Sequence, residues 1–296
     1  MLPRSHDLGS INKVMDMENK ICIVTGASQG IGKTTAHGLA KMGAQVVMVS
    51  RNPGRSQLAL YDIIEQTGNQ NVHAELADLT DMNSIRQLAE RLSTRYPAMH
   101  VLVNNHCALF NEFVLSPDGY EMNFALNHLA YFLLTNLLLE SLKMGAGRIV
   151  NVAAHVHVNI ERDFLDKPAS PESYDPWEAY CEAKLGNILF TYSLARKLDG
   201  TRATVNCLHP GTARTLALTA AREIYTRLNG PTEYSIPGTH ESAAKTSLYL
   251  AASPEVQGVS GKYFVNCEAV ASSDLSYNVS LQDKLWQRSA EMTGWG

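Results

Sequence analysis

An apolar run, Ile21-Cys22-Ile23-Val24-Thr25, enters the turn Gly26-Ala27-Ser28-Gln29-Gly30-Ile31-Gly32 and leaves it as a helix-forming segment, Thr34 to Met42. No other stretch limits the fold so strongly. Glycines at 26, 30 and 32 let the backbone turn sharply and let a ligand approach without meeting a Cβ. The first N–H groups of the following helix then point over the turn, a geometry suited to a phosphate or pyrophosphate. The turn opens a long alternation of strands and helices, which is the context that makes it informative.

Gln45-Val46-Val47-Met48-Val49 is almost wholly apolar, as a strand buried on both faces of a parallel sheet requires. Further strands are expected over 72–76, 101–105, 148–153, 203–208 and 261–266. Helices are expected over 56–66, 82–95, 119–143, 177–198, 241–252 and 281–293, the second from the spacing of Ile85, Leu88, Ala89 and Leu92. Such alternation implies right-handed crossovers with helices on both faces. The expected fold is α/β: a Rossmann-type, doubly wound, mostly parallel seven-stranded sheet in one domain, residues 19–296. Residues 1–18 read as a disordered leader, 155–176 as an irregular segment, and 212–239 as a mobile substrate flap. The ends of the strands gather Gly26–Gly32, Arg51, Asp78, Asn104, Ala153 and Pro210 on one edge of the sheet, where ligands of this fold class bind.

Composition narrows the function. The net charge is −4 with no basic stripe, which argues against nucleic acid or an anionic membrane as main partner. The longest apolar run, Leu126–Leu142, is interrupted by Asn127, His128, Asn136 and Glu140, so no membrane span is expected. No signal peptide is legible at the start. Five scattered cysteines, at 22, 107, 181, 207 and 267, show no metal-ligand spacing and suit a reduced, cytoplasmic protein without a metal site.

The ordered set Thr25-Gly26-Ala27-Ser28-Gln29-Gly30-Ile31-Gly32, Asp78-Leu79, Asn104-Asn105, Asn127, Tyr180-x-x-x-Lys184 and His209-Pro210-Gly211 resembles a short-chain dehydrogenase/reductase over residues 19–295. Within that superfamily the chain is similar to the retinol-dehydrogenase-like branch, which also includes protochlorophyllide reductases. The features are Asn127-His128-Leu129-x-x-Phe132-Leu133-Leu134-Thr135, the insertion before Tyr180, Val259–Phe264, and Leu285-Trp286-x-x-Ser289.

The resemblance implies a dinucleotide cofactor, a small-molecule substrate, and a homodimer or homotetramer by analogy. Gly26, Gly30 and Gly32 would hold the pyrophosphate; Ser28 and Ile31 are further cofactor-binding candidates, as is Asn105, in a loop beside the nicotinamide. Arg51 stands where an acid often grips the ribose of NAD. A guanidinium there pairs with the 2′-phosphate of NADP(H), with Lys33 and Ser28 placed to help; the alternative is solvated surface charge. Asp78 and Leu79 would meet the adenine, or Asp78 merely shapes a turn. Pro210, Gly211 and Thr215 would lie by the nicotinamide, or Thr215 caps a helix. Tyr180 would be the general acid, Lys184 would stabilise its phenolate and bind the nicotinamide ribose, and Asn127 would hold a relay water or bond to backbone.

Two departures bear on the substrate end. The family's catalytic Ser closes the fifth strand, and Ala154 stands in its place within Val150-Asn151-Val152-Ala153-Ala154. Where the family reads Asn-Asn-Ala-Gly, this chain reads Asn104-Asn105-His106-Cys107. Ala154, His155, His106 and Cys107 are therefore candidates for the substrate pocket. Three functions remain open: a carbonyl or alcohol oxidoreductase of a moderately apolar, biosynthetic small molecule, a reductase of an activated C=C bond, or a non-redox or binding protein on the same scaffold.

Overall fold

A computed structural model of the protein describes residues 16–166, 169–213 and 238–296, with positions 219, 220, 223, 224 and 226 between the last two spans. Eight strands form one sheet: β1 Ile21–Thr25, β2 Gln45–Ser50, β3 Val72–Leu76, β4 Val101–Asn104, β5 Arg148–Val152, β6 Thr204–His209, β7 Tyr263–Val265 and β8 Glu268–Val270. Their order is β3-β2-β1-β4-β5-β6-β7-β8. All neighbours are parallel except β7 and β8, which pair antiparallel. The strand order reverses between β1 and β4, so the ligand edge lies above Thr25 and Asn104. The sheet thus has one strand more than the expected seven. The extra strand is the return arm of a hairpin whose turn uses Asn266 and Cys267 in left-handed conformation.

The helices are α1 Gly30–Lys41, α2 Pro53–Thr67, α3 Met82–Arg95, α4 Met122–Phe124, α5 Ala130–Leu137, α6 Leu139–Met144, α7 Pro176–Lys197, α8 His240–Ala252 and α9 Val279–Thr293. The strands alternate their sides. Cys22, Val24, Val46 and Met48 join the core under α1, α2 and α8, while Ile23, Val47 and Val49 join the core under α3, α5 and α7. A Cβ on Gly38 of α1 would meet Leu248 of α8 at 2.7 Å, so that helix pair is packed close at a glycine.

The single helix expected over 119–143 is divided. Glu121 caps α4, and a π-helical turn, Ala125–Leu129, separates it from α5. Among the described residues the segment expected to be irregular holds three 3₁₀ turns, His155–Asn159, Phe164–Asp166 and Pro171–Ser173. Ile160 and Phe164 of this segment pack with Cys181, Leu185 and Leu189 of α7 and with Leu281 and Leu285 of α9. Of the leader expected over 1–18, residues 16–18 are described and depart from the expectation. Met17 is buried in the core and its N–H donates to the Met42 carbonyl at 2.9 Å. The rest of that leader lies outside the described residues. So does most of the flap expected at 212–239. At its two ends Gly238 N–H donates to the Thr212 carbonyl and Ala213 bridges Gly238.

Candidate active site

Asp175 caps α7, its carboxylate accepting from the N–H groups of Trp177 and Glu178, and Pro176 opens the first turn. Tyr180 and Lys184 follow on one face of this helix. Lys184 is 1% exposed. Its ammonium donates to the Val152 carbonyl at the end of β5, at 3.1 Å. It also lies between two phenol rings, 5.7 Å from the centroid of Tyr180 and 5.6 Å from that of Tyr131, so ring faces and one carbonyl replace its water. Tyr180 is 8% exposed, and burial holds its phenol well above the ordinary value, with the Cys107 sulfur adding to the effect. The expected lowering by Lys184 is outweighed: the ammonium faces the ring, and desolvation of the phenolate dominates.

The loop that leaves β4 is stitched down rung by rung. Asn104 donates to the Thr135 hydroxyl and to the Asn151 side-chain carbonyl, both at 2.9 Å. Asn105 donates from its backbone to the Thr25 hydroxyl and from its amide to the Thr25 carbonyl. The His106 carbonyl accepts from the Tyr131 hydroxyl at 2.9 Å. Ala108 exchanges two hydrogen bonds with the Asn127 side chain, at 3.2 and 2.8 Å. Asn127, Tyr131 and Thr135 supply these rungs from one helix face, four residues apart.

His106, expected at the substrate pocket, is turned away from it. Its Nε2 donates to the Leu126 carbonyl at 3.0 Å, which leaves Nδ1 to accept from the Thr25 hydroxyl at 2.9 Å. The ring packs edge-on to Tyr131, and burial pushes its pKa down to about 3. Cys107 is the residue of this loop that reaches Tyr180: Sγ lies 3.5 Å from the phenol oxygen. Among the described residues that hydroxyl has no other hydrogen-bond partner.

Past the end of β5 come Ala153, buried, and Ala154, half-buried. Neither brings a hydroxyl. His155 is exposed, and its N–H donates to Nδ1 of His209 at 3.2 Å. His157 is neutral by its partners: Nδ1 donates to the Ala154 carbonyl and Nε2 accepts from the Ser273 N–H. Burial pushes His209 down to about 4. Among the described residues none of these three histidines hydrogen-bonds Tyr180.

The glycine turn closes against the same β4 loop. A Cβ on Gly26 would meet the His106 backbone at 2.8 Å, and one on Gly32 would meet the Asn105 amide and the Gly26 carbonyl, each at 2.4 Å. Gly26 and Gly30 have left-handed φ values of 66° and 57°. No side chain caps α1 and no acid stands in its first turn. By contrast α2, α3, α7, α8 and α9 are capped by Asn52, Asp81, Asp175, Thr239 and Asn278. The leading N–H groups of α1, from Gly30, Ile31 and Gly32, are thus without a capping side chain beside half-buried Ser28, which fits an anionic group above them.

Beyond β2, Arg51 is 71% exposed at its side chain and lies 3.7 Å from the Asp78 carboxylate. Asp78 also accepts from the Thr80 N–H and hydroxyl, so it does shape the turn after β3. Leu79 is buried in the core on the α3 side. Lys33 is paired with Asp62 of α2 at 2.5 Å and is not held toward Arg51, against expectation. Pro210 and Gly211 follow β6, Gly211 with φ 80°. Thr215 lies outside the described residues.

The sequence reading missed Tyr131, the second ring over Lys184. It also missed the buried relay in which Asn151 donates to Thr191, Thr191 to the Asn187 carbonyl, and Asn187 to the Asn127 carbonyl. The four-residue spacing from Asn127 to Tyr131 and Thr135 was the available signal.

The short chain dehydrogenase profile matches residues 20–225, and the chain belongs to that family of oxidoreductases. Within it the chain falls in the retinol-dehydrogenase-like branch. It is 38% identical over 281 residues to retinol dehydrogenase 13 of Mus musculus, covering 93% of this chain and 84% of that one. It is 36% identical over 286 residues to the polyprenol dehydrogenase of Homo sapiens, covering 93% and 86%. Among solved structures, an uncharacterized protein from Mycobacterium paratuberculosis superposes with a TM-score of 0.75 at 26% identity, covering 94% of this chain and 95% of that one. A short chain dehydrogenase from Escherichia coli CFT073 complexed with NADPH gives 0.68 at 25% identity, covering 86% and 99%.

Proposed function

We propose that the protein is an NADP(H)-dependent reductase of a moderately apolar carbonyl compound, or the dehydrogenase of the matching alcohol. One observation carries this reading: the 104–108 loop touches the glycine turn at one end and the Tyr180 hydroxyl at the other. A phosphate cradle and a phenol at the two ends of one pinned loop suit a dinucleotide laid between them. The cofactor, when bound, supplies or accepts the hydride. Arg51 at the end of β2, with no acid there, favours the 2′-phosphorylated form, as does the NADPH complex of the Escherichia coli relative. The names of the relatives, retinol and polyprenol dehydrogenases, support an apolar alcohol or aldehyde as substrate.

Tyr180 gives its proton to the substrate oxygen as the hydride arrives at carbon. A phenol held above its ordinary value stays protonated at neutral pH and is ready as an acid. Lys184, one turn on, stabilises the phenolate that remains. An ammonium has three donors and one is on Val152, so two are left for ribose hydroxyls.

The alanines at the end of β5 favour a second reading, reduction of an activated C=C bond, which needs fewer donors at the substrate oxygen. Retinaldehyde, an aldehyde conjugated to a C=C bond, separates the two. With NADPH the expected product is retinol; a saturated α,β bond with the aldehyde intact selects the second reading. Tyr180→Phe should lower the rate by about 10²- to 10⁴-fold, the contribution of a positioned acid. A variant as active as the parent removes Tyr180 from the chemistry.

Among the described residues no helix is long and apolar enough to cross a membrane.

A further inference from the structure

Cys107 is flanked by fixed residues. Asn104 and Asn105 are tied by side chains of Thr135, Asn151 and Thr25, His106 by Tyr131 and Thr25, and Ala108 by Asn127. The thiol is therefore presented to the Tyr180 hydroxyl by a rigid frame. The phenol in turn is more than nine-tenths buried and has Sγ as its one hydrogen-bond partner among the described residues. Past β5, Ala153 is packed among Ile188, Tyr192, Cys207 and Tyr263, and half-buried Ala154 brings no hydroxyl.

We propose that Cys107 is the positioning residue for the Tyr180 phenol, holding its oxygen from the β4 loop, while Ala154, past β5, brings no hydroxyl. The inference rests on the reading of Tyr180 as proton donor. A thiol is a weak donor and a weak acceptor. Donating to the phenol oxygen, it leaves the phenol proton directed at the substrate. Glycine at 107, in this frame, would leave the phenol without a partner on either wall. His106 then acts behind the site: its ring and Tyr131 hold the loop that carries the thiol.

Two walls that serve one phenol make a coupled pair, and coupling is measurable. The kinetic test uses NADPH and retinaldehyde with Cys107→Gly, Cys107→Ser, Ala154→Ser and the double variant Cys107→Gly/Ala154→Ser. Cys107→Gly should lower kcat about tenfold with KM little changed, the effect of one lost hydrogen bond. Cys107→Ser should stay within about threefold of the parent. Ala154→Ser should raise the rate more in the Cys107→Gly background, where it restores most of what was lost, than in the parent. Independent, multiplying effects of the two positions overturn the proposal.

A second measurement needs no turnover. Iodoacetamide reaches Cys107 and Cys267 ahead of buried Cys22, Cys181 and Cys207. Peptide mass then reports alkylation of Cys107. The phenol oxygen lies 3.5 Å from Sγ, so Tyr180→Phe should change the rate of Cys107 alkylation by about three- to tenfold relative to that of Cys267. An unchanged ratio overturns the proposal. If wild-type protein does not reduce retinaldehyde, the substrate reading fails while the alkylation result still decides the role of Cys107.

Discussion

The two halves of the ligand edge treat their polar groups in opposite ways. Beyond the ends of β1 and β2 such groups are left available. The leading N–H groups of α1 have no capping side chain, and Arg51 is mostly exposed with one long contact to Asp78. At the ends of β4 and β5 they are buried and engaged. Asn104, Asn151, Thr191, Asn187, Asn127, Tyr131 and Lys184 bond to one another or to backbone, and few of their donors remain. In the proposed function the first half receives the phosphates of the cofactor, and the second is a platform that fixes the Tyr180 oxygen and the Cys107 sulfur for the substrate. In the second half a buried polar group must be matched by its neighbours. His106 and Tyr131 show such matching, ring against ring and hydroxyl to carbonyl.

The sharpest way to break this division is at the seam between the halves. Gly32→Ala places a Cβ 2.4 Å from the Asn105 amide and from the Gly26 carbonyl. The carbonyl is backbone and cannot swing aside, and the amide is already bonded to Thr25. Overpacking and a lost buried hydrogen bond together should cost about 2–4 kcal/mol. Urea unfolding reads the loss, and NADPH titration should show binding gone. Gly54→Ala, whose Cβ would meet only Asn52 at 3.6 Å, serves as the tolerant control. If both variants unfold at the parent's midpoint, the seam is soft and the two halves are not rigidly joined.

Acid should act through the buried half. Burial pushes His106 to about 3, and His128 and His209 to about 4, from an ordinary value near 6.5. Below pH 6.5 the unfolded chain takes up protons that the folded chain refuses, so stability falls as pH falls from 6.5 toward 4. Above 6.5 all three are neutral in both states and their contribution is complete. Each group contributes at most about 1.4 kcal/mol per pH unit in that window. Glu182, which burial raises to about 8, works in the opposite sense: it favours the fold below pH 4.5 and loses that contribution as pH rises through 8. Three groups against one leave acid destabilising. His128→Gln, which can keep the bond to Ser289, should flatten the slope by one group's share. Urea midpoints at pH 6.5, 5.5 and 4.5 give the slopes, and equal slopes in parent and variant would place the sensitivity elsewhere.

The available half was the more legible in sequence. Three glycines, an apolar strand and an arginine at the next strand end are local signals, and each stands where it was expected. Met82–Arg95 kept its bounds because Asp81 caps it and its apolar spacing is regular. The engaged half depends on contacts between distant residues. Nothing adjacent to His106 announces that its ring is taken by Thr25 and Leu126. No local pattern marks the π-helical turn at Ala125–Leu129 that sets the Asn127 face. Lys33 was misplaced for the same reason, since its partner Asp62 lies one helix away. The hairpin that adds β8 was hidden because its left-handed residues are Asn266 and Cys267, without the glycine that usually betrays such a turn.

The mildest test concerns Arg51. Its ion pair with Asp78 is exposed and 3.7 Å long, so removing it should change stability by less than about 1 kcal/mol. A guanidinium facing solvent is nonetheless well placed to take a 2′-phosphate, and the bond to an anionic ligand exceeds what it gives the fold. Arg51→Ala should weaken NADPH binding about tenfold and leave NADH unchanged, which is one charge-assisted contact. Lys33→Ala should do less, because Lys33 is held by Asp62. Fluorescence titrations with both dinucleotides measure the difference. Equal losses for NADPH and NADH would make Arg51 a surface charge with no part in cofactor choice, and the available half would then owe its selectivity to the glycine turn alone.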